Sequence, residues 1–549
     1  MSATIGYAPP AFAATITLDL SKNEGRPPRT VASAELSAGD IARYPDLADL
    51  RDAMAATFGV SVAHLLVTAG GDDALLRLCL LALRREGRAG PARRAVVAVP
   101  TFEMIPRYVE LAGGELVAVA WPSGAFPVDA LLAAVGDGAA IVFVVSPNNP
   151  TGAVATADDL RRIANALPDT LVVLDAAYAE FADEDLMVCA RQLANVVVVR
   201  TLSKAWGLAG LRVGCAIASP ELIDKLYASG NPMPVSVATA AIAVARLRSD
   251  RDEVLAHVAW LRRRRDDLVA LLQRLGLTSA QPCQGNFVLV TGVDPLWFAS
   301  SLAALGIAVR RFHEQRALAD AVRITVPPTE TAFEQLEAAL TTVVAPTALL
   351  FDMDGVLADV SQSYRTAIVR TAASYGVAVT AEDIAAAKRR GNANDDWQVT
   401  RSLLADRGVV LPLAAVTERF EGFYAELRDR ERLLVCRERL RAWQQRFRLG
   451  VVTGRPREQA EFFLERVGIR DLFDVVVCRE DAALKPDPAP VQLALGQLGV
   501  SSAWMLGDTV DDLVAARRAG VLPIGIGSEL DGASAACVLA QADDLEELL

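Results

Sequence analysis

The sequence predicts an α/β protein: a parallel-rich sheet with a small α+β subdomain, then a second parallel-sheet domain carrying a helical insertion. Three observations carry this expectation. Short, β-branched, unalternating apolar runs recur with helical patterns between them, as in strands buried on both faces. A more mixed stretch, about 248 to 342, breaks that rhythm with a long charged helix. After the short connection TVVAPT (342–347) a fresh α/β pattern starts, and it is interrupted after its first strand by a segment too long for an ordinary crossover.

In chain order, the first set of strands is expected at 94–100 (RAVVAVP), 115–121 (ELVAVAW), 140–146 (AIVFVVS), 171–175 (LVVLD), 195–200 (NVVVVR) and 213–219 (VGCAIAS). A parallel sheet of this kind binds ligands at the carboxyl ends of its strands. The mixed stretch places its helix around 253–275 and later strands at GIAVRR and AVRITV. The second set is expected at 348–352 (ALLFD), 449–453 (LGVVT), 474–478 (DVVVC), 503–507 (AWMLG) and 522–526 (LPIGI), with a mostly helical insert over 360–446 that reads as a cap. The expected modules are therefore 1–345 and 346–549, with the cap at about 361–445. Length alone suggests three to four domains, by the usual ~150 residues per domain.

Composition narrows the function. Of 549 residues 52% are apolar and 22% charged, the balance of a packed globular chain. A formal charge of −12 argues against a binder of nucleic acid. No run of 18 uncharged apolar residues occurs, so no membrane span is expected. The first twenty residues hold no Lys or Arg, so neither a secretory nor a transit signal is expected. Seven scattered Cys (79, 189, 215, 283, 436, 478, 537) form no CxxC pair and read as reduced thiols of a cytoplasmic enzyme. His64, His257 and His313 show no spacing of a metal site. Lys occurs only at 22, 204, 225, 388 and 485, so a retained Lys hints at chemistry that Arg cannot perform.

Lys204 is the first such case. It sits beside Ser203 at the end of a strand in RTLSKAWGLAGLRVG, with Arg212 eight residues on. A primary amine there can form a Schiff base with a carbonyl cofactor, while Ser203 and Arg212 can grip a phosphate. Asp175 ends LVVLD, where a buried carboxylate can pair with a protonated pyridine nitrogen, and Tyr178 follows. SPNNPTG (146–152) is a turn-rich loop after a strand, and AGGDD (69–73) opens a helical run suited to phosphate.

These residues, in this order, resemble the fold-type I pyridoxal-phosphate aminotransferases of the histidinol-phosphate aminotransferase branch, over about residues 15–340. The resemblance implies that Lys204 carries pyridoxal 5'-phosphate and that Asp175 holds its ring nitrogen. Asn149 and Tyr178 would bond the ring hydroxyl, and Phe102 in PTFEM would stack on the ring. Gly71, Asp72, Thr201, Ser203 and Arg212 would cradle the phosphate. Tyr44 in RYPD would reach the phosphate of a neighbouring subunit, which implies a homodimer. Arg310 and Arg323, thirteen apart, resemble the pair that binds substrate phosphate and the amino donor's carboxylates, groups that a planar guanidinium grips bidentately. Four departures leave the amino acceptor open: Gly25 where the NEN motif has its second Asn, Ala176 where Glu is usual, Met233 where an aromatic is common, and Pro327–Pro328 where Gly-Thr is typical.

The second constellation is acidic. FDMDG (351–355) directly follows a strand, and Asp508 and Asp512 in GDTVDD follow another. Two unit charges 4 Å apart repel by about 4 kcal/mol at an effective dielectric of 20, so four gathered carboxylates require a divalent cation. Oxygen ligands point to Mg²⁺. Lys485 in LKPDP can compensate charge, and Thr453 in VVTGRP offers a hydroxyl.

The order DMDGV, VVTG, LKPDP, GDTVDD resembles the haloacid dehalogenase superfamily, a Rossmann-like fold, in the subgroup with a helical cap. That resemblance implies Asp352 as nucleophile and Asp354 as general acid, then base. It implies a metal site of Asp352, Asp354 (through its carbonyl), Asp508 and Asp512, with Thr453 and Lys485 holding the phosphoryl group. An acid at Asp354 favours phosphatase chemistry. Within the cap, GNANDDW (391–397) either selects substrate or is a helix N-terminus capped by Asn394 or Asp395.

Together the resemblances imply a bifunctional aminotransferase and phosphatase, first of all for histidinol phosphate in histidine biosynthesis, acting on an amino acid or amino phosphate and a 2-oxo acid. Another amino phosphate, as in phosphothreonine decarboxylases or secondary metabolism, is the alternative, as is a non-catalytic binding role for one module.

Overall fold

The structure is a computed structural model that describes residues 14–28, 36–84, 93–136, 138–312, 315–389, 395–527, 530 and 535–549. His313 and positions 391–394 of the cap motif, Asn394 included, lie outside the described residues. The chain divides into two compact units, one of 20–295 with 309–333, the other of 1–19, 296–308 and 334–549.

Among the described residues the first unit contains a seven-stranded sheet in the spatial order Leu65–Thr68, Gly214–Ile217, Val196–Thr201, Leu171–Asp175, Ile141–Val145, Arg94–Val99, Glu115–Ala120. The last five of these pair in parallel. Ile141–Val145 and Val196–Thr201 are buried along their whole length, which explains their continuous apolar sequences. Six of the strands coincide with the runs expected at 94–219. Leu65–Thr68 is additional, and Gly214–Ile217 runs antiparallel to both neighbours. The reason is the connection before it: residues 202–213 hold a single 3₁₀ turn, Ala209–Leu211, and no crossover helix, so the chain turns straight back. Phe143, Val97, Val173 and Val197 pack under the helix Gly70–Leu83 in the core of this sheet.

A four-stranded antiparallel sheet follows in the order Arg310–Arg311, Ala321–Thr325, Phe287–Thr291, Thr278–Ser279, preceded by the helix Arg251–Arg274. Arg310 and Arg323 are direct cross-strand partners.

Among the described residues the second unit contains a six-stranded sheet, all parallel, in the order Val475–Val477, Arg448–Val452, Ala348–Phe351, Ala503–Gly507, Leu522–Ile526, Cys537–Leu539. Five strands match the expected runs; Cys537–Leu539 extends the edge. Among the described residues four helices of the insert, Tyr364–Ser374, Ala381–Arg389, Asp396–Ala405 and Leu413–Leu427, lie between the two strands of a short antiparallel ladder, Ala358–Asp359 with Arg432–Leu433, and a fifth, Arg437–Gln444, follows that ladder. Trp504, buried in this sheet, donates its indole N–H to the Thr342 carbonyl at 2.7 Å and meets the Trp297 ring edge-on. No helix among the described residues is long and apolar enough to cross a membrane.

Candidate active sites

The first site gathers at the carboxyl ends of the parallel strands. Asp175 closes its strand and is 5% exposed, with its carboxylate accepting the Ala177 amide N–H at 3.1 Å. Burial pushes its pKa up to about 6; the Ala177 amide and the Lys204 charge oppose that push, and Asp72 adds to it. Lys204 lies in the loop after Val196–Thr201, its Nζ 3.4 Å from the Lys22 carbonyl and 5.6 Å from the Tyr178 ring centre. Tyr178 is buried, and its hydroxyl accepts from Asn23 Nδ2 at 3.1 Å.

Asn149 sits in a loop stabilised by Asn148, whose amide group donates to the Pro100 carbonyl and Thr151 hydroxyl. Asn149 Oδ1 accepts from Arg323 Nη1 at 2.5 Å, and Arg323 Nη2 donates to the Ser21 carbonyl at 2.7 Å. Arg310 forms an ion pair with Glu103 at 2.6 Å. Two arginines directly opposite on adjacent strands would repel; Glu103 neutralises one, and the other is held by oxygen dipoles.

The phosphate-side residues also converge. Gly71 and Asp72 lie in the first turn of Gly70–Leu83, where backbone N–H groups face outward. Thr201 and Ser203 are buried and joined by a hydroxyl hydrogen bond of 3.0 Å. Arg212 pairs with Asp72 at 2.6 Å, and Tyr108 donates to the same carboxylate at 3.2 Å. Gly214 makes this closeness possible: a Cβ there would stand 2.7 Å from Gly70 C and 2.9 Å from Gly71 N. Phe102 is half-buried beside the sheet core. Tyr44 is 85% exposed and takes no part in this cluster of its own chain.

Two features of this site were missed by sequence reasoning. Asn23, buried with φ of 54°, exchanges hydrogen bonds with Thr325 and Tyr178 and so ties the 20–25 segment to the site. An Asn followed by Glu-Gly was a signal for a left-handed position. The Gly25 departure has a packing reason, since a Cβ there would stand 1.8 Å from the Lys204 carbonyl oxygen. Glu103 is the second missed residue. Ala176 is buried and Met233 is 41% exposed.

The donor set fits pyridoxal phosphate on the observation of Asp175. A carboxylate buried at such cost, with an amine and a tyrosine beside it, suits a cationic ring nitrogen, and the Gly70–Asp72 turn with Ser203 and Arg212 suits its phosphate.

The second site lies at the ends of Ala348–Phe351 and Ala503–Gly507. Lys485, itself buried, places Nζ 2.6 Å from Asp352 Oδ1, 2.5 Å from Asp512 Oδ1 and 3.0 Å from the Val452 carbonyl. Asp352, Asp508 and Asp512 each offer a carboxylate oxygen within 4.8 Å of the others. Burial, and then the charges of Asp512, Asp508 and Asp354, hold the Asp352 carboxyl well above its ordinary pKa against the pull of Lys485. The Lys485 ammonium is held above its usual range by Asp352 and Asp512 despite burial. One resident cation thus faces three converging carboxylates, and the remaining negative charge fits a divalent ion with oxygen preference.

Local structure explains the convergence. Gly355 has φ of 80°, and a Cβ there would stand 2.1 Å from Asp508 Oδ2. Thr509 caps the helix Val510–Arg518 in a reciprocal box with Asp512, which fixes that carboxylate at the helix start. Thr453 is buried and its hydroxyl accepts the Arg455 amide N–H at 3.2 Å. Asp354 Oδ1 accepts from Arg455 Nε at 2.6 Å. Arg455 stands in VVTGRP, yet its role was not read from the sequence. At the cap, Asp395 accepts the amide N–H groups of Trp397 and Gln398, so it caps a helix as one of the two expectations held. It also pairs with Arg479 at 3.1 Å, whose guanidinium lies 4.0 Å from the Trp397 ring centre.

Comparison with known proteins agrees with both geometries. Residues 14–342 match the aminotransferase class I and II family. Residues 346–520 match the haloacid dehalogenase-like hydrolases. An aromatic amino acid aminotransferase of Streptomyces avermitilis is 36% identical over 334 residues, 59% of this chain and 89% of that protein. A histidinol-phosphate aminotransferase of Rhodospirillum centenum is 36% identical over 57% of this chain and 88% of that protein. An imidazoleglycerol-phosphate dehydratase of Phytophthora nicotianae is 48% identical over 193 residues, but the chain spans only 43% of its length. Among solved structures, the histidinol-phosphate aminotransferase of Sinorhizobium meliloti with pyridoxal-5'-phosphate aligns with a TM-score of 0.53 and 29% identity, over 59% of this chain and 90% of that one. The chain belongs to the class I and II aminotransferases, and behind that module it carries a haloacid dehalogenase-like hydrolase module.

Proposed function

We propose that the chain is a bifunctional cytoplasmic enzyme in which residues 1–345 transaminate and residues 346–549, with a cap at about 361–445, hydrolyse a phosphate monoester with Mg²⁺. The observation that supports this best is the presence of two complete, chemically distinct carboxylate sites, Asp175 with Lys204 and Asp352 with Lys485. The first-choice substrate is histidinol phosphate. The Rhodospirillum relative and the Sinorhizobium structure support its transamination, and the dehydratase relative supports histidine biosynthesis. A dimer is part of the proposal, with Tyr44 reaching the neighbouring subunit's cofactor phosphate.

Pyridoxal phosphate, when bound, supplies an electron-withdrawing ring that lets a proton leave the substrate Cα. Asp175 would hold the ring nitrogen, Asn149 and Tyr178 would orient the ring hydroxyl, and Gly71, Asp72, Thr201, Ser203 and Arg212 would bind the phosphate. Lys204 Nζ would hold the cofactor and would move the proton of the substrate Cα. Arg323 and Arg310 bind the carboxylate and phosphate of alternating substrates. At the second site Asp352 attacks phosphorus, Asp354 protonates the leaving oxygen and later takes a proton from water, and Lys485 and Thr453 hold the phosphoryl oxygens. Asp352, Asp508, Asp512 and the Asp354 carbonyl would hold Mg²⁺.

Glu103 on Arg310, together with the Streptomyces relative, favours a second reading in which an aromatic oxo acid is the amino acceptor. The deciding experiment incubates the enzyme with histidinol phosphate, 2-oxoglutarate and Mg²⁺ and identifies every product. Absence of both glutamate and inorganic phosphate rejects the histidinol-phosphate assignment.

A further inference from the structure

The second site contains a buried cation that the mechanism above leaves unused. Arg455 is 2% exposed, and the two edges of its guanidinium are both committed. Nε donates to Asp354 Oδ1 at 2.6 Å, while Nη1 and Nη2 donate to the two Glu431 oxygens at 3.0 and 3.2 Å. Its flat faces pack near the rings of Tyr364, 4.7 Å away, and Phe463, 5.5 Å away. Glu431 is buried too and accepts the Ser363 hydroxyl at 2.8 Å. Ser363 stands where the chain enters the cap helices, and Glu431 where it leaves them, one residue before the strand that pairs with Ala358–Asp359. Both passages through the cap root are therefore fastened to one guanidinium, and that guanidinium to Asp354.

A planar fork with two opposed edges can hold two carboxylates in fixed directions; an ammonium cannot. Burying this row of charges is expensive without complete pairing, and here each carboxylate has its partner. With Oδ1 of Asp354 held by Nε, Oδ2 is the oxygen left for proton transfer to the leaving group. We propose that Arg455 is the positioning residue of Asp354, anchored to the cap root by Glu431, and that protonation of the leaving oxygen depends on this two-sided grip. This rests on the phosphatase reading. In the step concerned an Asp352 oxygen bonds to phosphorus, the bond from phosphorus to the ester oxygen breaks with its electron pair on that oxygen, and the Asp354 proton completes the free alcohol. Water then displaces Asp352 from phosphorus and returns a proton to Asp354.

The test compares kcat/KM of the full-length Mg²⁺-loaded enzyme for 4-nitrophenyl phosphate and phenyl phosphate, in wild type, Arg455→Lys and Glu431→Gln. Nitrophenolate leaves without a proton and phenolate leaves poorly, so only the second ester needs a placed acid. In Arg455→Lys the phenyl ester should lose about a hundredfold and the nitrophenyl ester under about threefold. Glu431→Gln should show the same selectivity at about a tenfold loss. If Arg455→Lys does not fold, the Glu431→Gln ratio decides. Equal losses on both esters, no loss on either, or failure of both variants to fold overturns the proposal in favour of a purely structural role. Wild type inert toward both esters overturns the phosphatase reading instead.

Discussion

The two sites solve one electrostatic problem differently. Each places a buried aspartate at the end of a parallel strand, Asp175 in one sheet and Asp352 in the other. Asp175 meets an amide N–H and the more distant Lys204 charge, and its pKa rises to about 6. Asp352 meets Lys485 at 2.6 Å and two further carboxylates, and burial with those charges holds its pKa well above the ordinary value. A lone buried carboxylate suits a single cationic atom. A cluster with one built-in ammonium suits a doubly charged ion, because one positive charge cannot balance three carboxylates.

This contrast sets out how to break it. The largest effect is expected from Asp352→Asn, which keeps the shape but removes the nucleophile: phosphate release with Mg²⁺ should fall by orders of magnitude while transamination persists, as measured by separate assays of the two reactions. Lys204→Ala should do the reverse and abolish the visible absorbance of bound cofactor; Lys204→Arg should not restore it, since a guanidinium forms no imine. Retention of a borohydride-reducible adduct in Lys204→Ala would exclude this lysine. Arg323→Ala and Arg310→Ala should keep the cofactor and lose about 1.5–3 kcal/mol of anion binding, roughly ten- to hundredfold in affinity. Unchanged kinetics for both anionic substrates would place the pocket elsewhere.

An effect of similar size, on stability rather than on activity, sharpens the comparison through pH. Asp175 in the cofactor-free protein has a folded-state pKa near 6 against about 4 unfolded, so the folded state binds the extra proton between those values. Its contribution to stability is therefore intact below pH 4 and falls as pH rises from about 4 to 6, by about 3 kcal/mol in all. Asp175→Asn should flatten that part of the stability profile of the apo protein, measured by urea unfolding at stepped pH. An unchanged profile would mean that Asp175 has a cationic partner in the apo state.

Much of this was legible in the sequence, for stated reasons. Runs such as VVVV at 196–199 and IVFVV at 141–145 can be buried only on both faces, so they announced a parallel sheet. The reversal of Gly214–Ile217 was not legible, because a fully buried strand has the same pattern in either direction. Leu65–Thr68 and Cys537–Leu539 are edge strands of only four and three residues, too short for a pattern to show. Lys204 and Asp175 could be found because Asp175 ends a strand and Lys204 lies in the loop just after one, each in a recognisable motif. Glu103 on Arg310 and Glu431 on Arg455 could not, since their partners lie 207 and 24 residues away and meet only through the folded chain.

The most direct test of two independent sites serving one substrate is a phosphate-release time course with the phosphorylated oxo substrate, an amino donor and Mg²⁺. Wild type should release phosphate only when the amino donor is present, Lys204→Ala should release none, and Asp352→Asn should accumulate the amino phosphate. Phosphate release that survives Asp352→Asn, or an amino phosphate that wild type forms and never hydrolyses, would contradict it.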